Sequence, residues 1–187
     1  MLTPVAQDHP PQELVRKWHT EYQSRGWTVA SLSELGRNNS TINTITHITE
    51  TQKHCKMIDG EGDLISYCSI RLSSDCIEPV QKRELLRLLG AISGNEIHEV
   101  EGLRVTIVKQ GEQIHQHSDK HLTGIFRFSQ QEPAQWSLEV KEADLWTPVQ
   151  TSVNSLTVIR AGIEHRLLPL EASAMNTDRR RFIVEAR

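Results

Sequence analysis

Between Pro11 and Arg25 the apolar residues Leu14, Val15, Trp18 and Tyr22 recur at helical spacing, and Gly26 follows as a stop. The pattern predicts an amphipathic helix, then a strand at Trp27-Thr-Val-Ala. From Arg37 to Asp63 the chain turns polar and rich in Thr and Asn, and Asp59-Gly-Glu-Gly marks a loop. A second helix begins at about Pro79, a residue suited to a first helical turn. It runs through Glu84, Leu85, Leu86, Leu88 and Leu89 to about Ile92 and ends near Gly94.

After that helix the period changes. Leu103 to Lys109, His121 to Ser129, Gln135 to Lys141, Ser155 to Arg160, Ile163 to Leu168 and Arg180 to Glu185 are short runs rich in Val, Ile, Thr and Phe. Turn signals separate them at Gln110-Gly111-Glu112, Gln131-Glu132-Pro133, Thr147-Pro148 and Ala161-Gly162. Evenly spaced strands after two helices predict a mainly β fold with flanking helices, a sandwich or barrel covered on one side. The expectation is a single domain over 1–187, with helical or mixed support from 1–100 and a barrel core over about 101–187. The polar segments Asn38 to Asp63 and Glu142 to Asn154 are expected as loops facing a substrate, with Trp136 and Trp146 near the mouth or in the core.

Composition narrows this picture without changing it. At 187 residues the chain is the size of one domain able to bury a core. Its net charge of −3, with 24% charged residues and no long block of either sign, argues against nucleic acid and membrane surfaces as partners. No apolar stretch approaches membrane-spanning length, and Met1 to Gln12 lacks a secretory pattern. Cys55, Cys68 and Cys76 show no paired spacing, so they are read as reduced thiols in a cytoplasmic protein rather than, with His54, as a zinc cluster.

The candidate chemistry lies in the strand-rich half. His117-Ser118-Asp119 is followed by His165 and then by the basic cluster Arg179, Arg180 and Arg181. Two imidazoles and one carboxylate on one face of an Fe(II) ion leave open positions where a 2-oxo acid and dioxygen can coordinate. His117 and Asp119, two apart on an extended segment, can share a face. The third ligand must then come from a distant strand. Alternation along the last strand offers two phases. If Phe182 and Val184 pack against the helices, Arg181, Ile183 and Glu185 face the barrel interior; the opposite phase turns Arg180 inward. A buried guanidinium is plausible only with a partner, which a carboxylate provides.

Leu103-Arg-Val-Thr-Ile-Val-Lys-Gln-Gly-Glu-Gln-Ile-His-Gln-His-Ser-Asp resembles the strand, turn and His-x-Asp entry of Fe(II)/2-oxoglutarate-dependent oxygenases. Leu156-Thr-Val-Ile-Arg-Ala-Gly-Ile-Glu-His-Arg-Leu-Leu-Pro-Leu is similar to the segment around their distal His, above all in prolyl-hydroxylase-like members, and Arg181-Phe-Ile-Val-Glu-Ala to their last core strand. The resemblance covers about residues 81–187. It implies a double-stranded β-helix, a jelly-roll or cupin-like barrel, with Fe(II) held by His117, Asp119 and His165. It also implies 2-oxoglutarate as cosubstrate with O2, its far carboxylate on Arg181, with Arg179 on the same parity. Thr106 and Arg127 are further candidates for that cofactor-binding end. The activity implied is hydroxylation of a small molecule, an amino acid or a peptidyl residue, with release of succinate and CO2.

Two rival readings use the same region. A cupin would hold a metal through His115, His117 and His165 without Asp119 or the terminal Arg. An AlkB-type nucleic-acid demethylase would pair Arg181 with Arg187, although its Asn-x-Tyr is missing where Val105 to Val108 stand. A metal-free binding module is a third reading. His47, His54, His98, His115 and His121 are otherwise expected as surface or hydrogen-bonded residues.

Overall fold

In the computed structural model the described residues are 10–34, 40–51, 56–59, 66–108, 111–128, 138–150, 154–169 and 179–187. In chain order the elements are α1 (Gln12–Arg25), β1 (Trp27–Ser31), α2 (Ser40–Thr51), β2 (Lys56–Asp59), β3 (Ser66–Arg71) and α3 (Pro79–Ser93). Then follow β4 (Val100–Val108), β5 (Ile114–Ser118), β6 (Leu122–Arg127), β7 (Leu138–Glu142), β8 (Leu145–Pro148), β9 (Ser155–Ile159), β10 (Glu164–Leu167) and β11 (Arg179–Ala186). Both helices foreseen in the sequence form, and both end as expected. Gly26 and Gly94 take φ of 81° and 73°, where other residues are strained, and each donates its N–H back into the last helical turn. α3 opens with Pro79 in its first turn and a reciprocal capping box between Glu78 and Gln81.

The strands form a seven-stranded sheet, β1-β9-β6-β11-β4-β3-β2, and a four-stranded sheet, β5-β10-β7-β8. From β4 onward the chain crosses from one sheet to the other at every connection except the β7–β8 hairpin. That is the winding of a double-stranded β-helix, the expected architecture. The N-terminal part also supplies strands: β1 pairs with β9 and β3 with β4, which widens the larger sheet on both sides.

Alternation along these strands divides the interior into two cores. On one face of the large sheet Val105, Ile107, Phe126, Leu156, Val158, Phe182 and Val184 pack against Trp18 and Tyr22 of α1, Ile45 of α2 and Leu85, Leu89 and Ile92 of α3. On the other face Val108, Ile125, Ile159 and Ile183 meet Leu138, Val140 and Leu167 of the small sheet. Each such side chain, fully buried, contributes about 1.5–3 kcal/mol from removal of apolar area from water. Trp27 closes one edge of the sandwich: its Nε1 donates to Glu142 Oε1 at 2.7 Å, and the Arg25 guanidinium lies 3.7 Å from its ring centre.

Two expected loops contain regular elements. The segment from Asn38 to Asp63 carries α2 and β2. Ser-Thr-Ile-Asn-Thr-Ile-Thr-His-Ile-Thr is a poor helix former, because β-branched residues lose χ1 freedom in a helix. Packing overrides that preference. Thr41, Ile45 and Thr49 form a buried stripe, Thr46 and Thr49 satisfy their hydroxyls on carbonyls four residues back, and Thr44 accepts from Gln81 Nε2 of α3 at 2.8 Å. Arg180 caps the far end, donating from Nη1 to the Thr49 and Glu50 carbonyls. The segment from Glu142 to Asn154 carries β8, joined to β7 by a tight turn in which Ala143 adopts φ 52°. Trp146 lies there half-buried, its ring 4.1 Å from the Arg166 guanidinium. His54, Cys55, Trp136 and the stretch 170–178 lie outside the described residues. Among the described residues no helix is long and apolar enough to cross a membrane.

Candidate metal centre

His117 and His165 sit opposite each other because of strand register. β5 and β10 pair antiparallel with His165 facing His117, and directly opposed residues project to the same side. The ring centres are 4.3 Å apart. Each imidazole is oriented by the backbone two residues before it: His117 Nδ1 donates to the His115 carbonyl at 2.8 Å, and His165 Nδ1 to the Ile163 carbonyl at 3.2 Å. A carbonyl only accepts, so Nδ1 carries the proton in each neutral ring and Nε2 keeps a lone pair. Those are the atoms a metal needs.

Asp119 follows β5 directly and is tied down on three sides. Its main-chain oxygen accepts from the Gly162 N–H at 2.9 Å, its Oδ2 from Thr123 Oγ1 at 2.6 Å, and its Oδ1 lies 3.7 Å from Arg104 Nη2. Gly162, at φ 79°, belongs to the turn that leads into β10, so one turn positions both the carboxylate and His165. Asp119 Oδ2 stands 3.6 Å from His165 Nε2. One donor atom from each of His117, Asp119 and His165 lies within 4.8 Å of the others. An ion held at about 2.0–2.2 Å from each donor would require only a modest inward adjustment of the side chains. Neutral nitrogen and carboxylate oxygen in this number suit a first-row divalent metal with open positions.

The cleft around these donors, about 310 Å³ counting the part open to solvent, is lined by apolar Ile114, Ile125, Leu138, Leu167 and Ile183 and by Arg104, Thr123 and Arg181. Arg181 comes from the opposite sheet and is 2% exposed. The alternation question is thereby settled. Phe182 and Val184 face the helices, Ile183 faces the small sheet, and Arg181 points into the cleft while Arg180 points to α2. Thr106 and Arg127 are the register partners of Arg181 on its two neighbouring strands, each 2% exposed. The Thr106 hydroxyl is buried and has no hydrogen-bond partner among the described residues. The backbone of Arg179 pairs with Val108, and its side chain lies outside the described residues.

The rival ligand sets do not assemble. His115 is exposed and lies outside the donor group, to which Asp119 belongs. Arg187 is 61% exposed and bonded to Glu99 and Glu101 at the surface, so it is no second arginine of the cleft. Thr123 and Arg104, by contrast, were not anticipated as neighbours of Asp119. Arg104 was visible only as a residue of the same parity as Thr106. Its place beside Asp119 and its ion pair with Glu185 at 2.8 Å follow from the pairing of β4 with β11.

Burial, and after it the neighbouring His117, pushes the His165 pKa from 6.5 down to about 4, against the opposing pull of Asp119. The ring is therefore neutral and ready to ligate at neutral pH. A folded value below the unfolded one means that the unfolded chain binds the extra proton between about pH 6.5 and 4. Metal-free protein should accordingly hold its full stability above that window and lose it as pH falls through it. Thermal melts of chelated protein from pH 7 to 4 should show this slope, and it should flatten in His165→Gln. An equal slope in both proteins would remove His165 as its source.

No family model and no curated protein matches the sequence. Solved structures do match. An oxidoreductase of the 2OG-Fe(II) oxygenase family from Burkholderia pseudomallei superposes with TM-score 0.69 over 92% of this chain and 90% of its own, at 9% identity. A prolyl-4-hydroxylase from Pseudomonas putida gives 0.65 over 93% and 99%, at 12% identity. The epimerase SnoN from nogalamycin biosynthesis, in complex with Fe3+, alpha ketoglutarate and nogalamycin RO, gives 0.63 over 94% and 84%, at 8% identity. What is shared at such identities is the fold.

Proposed function

We propose that this chain is a non-haem Fe(II) oxygenase that uses 2-oxoglutarate as cosubstrate and hydroxylates an unactivated C–H bond of a small molecule, an amino acid or a peptidyl residue. The observation that carries this reading is the meeting of two half-sites in one cleft. His117, Asp119 and His165 converge from the small sheet and its adjoining loop, and Arg181 reaches the same cleft from the large sheet. A guanidinium buried to 2% exposure in the cleft that gathers the metal donors suits the far carboxylate of a bound dicarboxylate. The solved neighbour that holds Fe3+ and alpha ketoglutarate, and the neighbouring prolyl-4-hydroxylase, support the reading by likeness of fold.

The iron would be held by Nε2 of His117 and His165 and by the Asp119 carboxylate. Bound iron with 2-oxoglutarate and O2 supplies the oxidising power for C–H cleavage, with succinate and CO2 as co-products. The protein's own part is positional. Gly162 holds the Asp119 backbone, Thr123 and Arg104 hold its carboxylate, and backbone carbonyls fix both imidazoles so that their lone pairs converge. Arg181 and the Thr106 hydroxyl take the far carboxylate of the cosubstrate. Ile125, Ile183 and Leu167 keep water from the space between.

Succinate release in the presence of Fe(II), 2-oxoglutarate and O2 tests the class, and stimulation by pools of amino acids, peptides or metabolites identifies the substrate. Wild type should release succinate slowly alone and faster with one pool. Release no greater than that of His117→Ala would refute the reading.

A further inference from the structure

Asp119 is the one anion of the donor group, so the charges around its carboxylate decide how readily a cation settles there. Thr123 holds Oδ2 through a neutral hydrogen bond of 2.6 Å. On the other oxygen, Arg104 Nη2 stands 3.7 Å away, too far for a hydrogen bond, and the same nitrogen lies 2.8 Å from Glu185 Oε1. One guanidinium nitrogen is thus divided between two carboxylates, and it sits nearer the one outside the donor group. Strand register builds this arrangement. Ile183 of β11 faces Arg104 of β4, so Glu185, two residues on, lies diagonally across from Arg104 on the same face, within reach of a long side chain. Glu185 is itself the register partner of Gly102 on β4 and of Thr123 on β6. At Gly102 a Cβ would already stand 3.8 Å from the Glu185 carboxyl group, and its absence leaves Glu185 room to turn along β4 towards Arg104. The neighbouring cations are engaged elsewhere: Arg187 with Glu99 and Glu101, and Arg166 with Glu139 at 2.7 Å.

The sign of each charge sets the consequence. A guanidinium beside a metal ligand repels an incoming cation and competes with it for the carboxylate. With Glu185 in contact, that charge is offset and Arg104 stops short of Asp119. Without the Glu185 charge, Asp119 is the carboxylate that remains within reach of Arg104, and a full ion pair there would occupy an oxygen that the metal needs. We propose that Glu185 is a positioning residue of the metal centre: by holding and neutralising Arg104, it keeps the Asp119 carboxylate free for a divalent cation. Glu185 lies outside the donor group, so it acts on the metal through Arg104. Removing Arg104 should therefore undo the effect of removing the Glu185 charge.

The inference rests on the metal centre of the proposed function and not on its cosubstrate. Metal-free protein is titrated anaerobically with Fe(II), and in parallel with redox-stable Mn(II), by calorimetry with no 2-oxo acid present. Glu185→Gln, which keeps the shape of the side chain and removes its charge, should weaken both metals by about 10- to 100-fold, the range for a lost outer-shell partner of a ligand. Glu185→Asp, which keeps the charge on a shorter arm, should lose less. The double variant Arg104→Gln/Glu185→Gln should recover most of the loss seen in Glu185→Gln. A merely structural role for Glu185 gives the opposite order, because a second substitution in the same contact then adds to the damage. Melting curves of the same metal-free samples establish that each variant is folded. Wild-type affinity in Glu185→Gln, or a double variant that binds no more tightly than Glu185→Gln, would overturn the role of Glu185 and leave the metal centre standing. A wild type that takes up neither metal would overturn the metal centre and this inference with it.

Discussion

Alanine at Asp119 should abolish both Fe(II) retention and 2-oxoglutarate-dependent succinate release, whereas alanine at His115 should leave both close to wild type. The expectation rests on the geometry of the donor group. Asp119 contributes one of three donor atoms within 4.8 Å of one another, and His115 contributes none. His115 serves through its main-chain carbonyl, which receives the proton of His117 Nδ1, and alanine keeps that carbonyl. Losing an outer-shell partner of a metal ligand typically lowers affinity by about 10- to 100-fold. Loss of the ligand itself should exceed that, and Thr123→Val, which removes the 2.6 Å hydrogen bond to Asp119 Oδ2 and a longer one to the His121 carbonyl, should fall within it. Equilibrium dialysis of iron, with succinate assayed in parallel, ranks the three variants. Iron loss in His115→Ala with retention in Asp119→Ala would reinstate a cupin-type ligand set.

The parts of this site legible in the sequence were those fixed by local spacing. His117 and Asp119 lie two apart on an extended run, and alternation along β11 turned Arg181 inward once Phe182 and Val184 were assigned to the helices. Both follow from a side-chain period of two, which needs no knowledge of the partner strand. Thr123 and Arg104 needed that knowledge. Thr123 meets Asp119 because the chain reverses between β5 and β6, and Arg104 meets it through the pairing of β4 with β11. The same distinction separates the legible elements from the missed ones. α1 and α3 announce themselves through apolar periodicity and glycine stops. The Thr- and Ile-rich α2 has the composition of a strand and is helical because α3 and Arg180 satisfy it from outside. Around β8 the turn signal read at Thr147-Pro148 falls inside the strand, and the actual turn at Ala143 and Asp144 carries neither Gly nor Pro, so the hairpin was misplaced.

The two faces of β11 make the largest stability prediction. Phe182 is fully buried in the helix-facing core, edge-on to Phe126 with ring centres 6.2 Å apart, while Ile183, the next residue, faces the cleft. Truncating Phe182 to alanine removes a whole ring from a packed layer held by the sheet on one side and the helices on the other, so the cavity can collapse only partly. The expected loss is about 3–5 kcal/mol. For a domain of this size that lowers the melting temperature by about 6–20 °C. The protein that remains folded at low temperature should still take up Fe(II), because the donor group lies on the other side of the sheet. Ile183→Val should show the reverse balance. It deletes one methylene at the cleft, for about 0.5–1.5 kcal/mol of stability, and alters 2-oxoglutarate affinity through the wall between the iron and Arg181. Thermal melts and anaerobic ligand titrations of both variants check this. Were Phe182→Ala to lose iron binding while still folded, the two faces of the strand would be coupled through the backbone, and the helices would be part of the metal site rather than a support behind it.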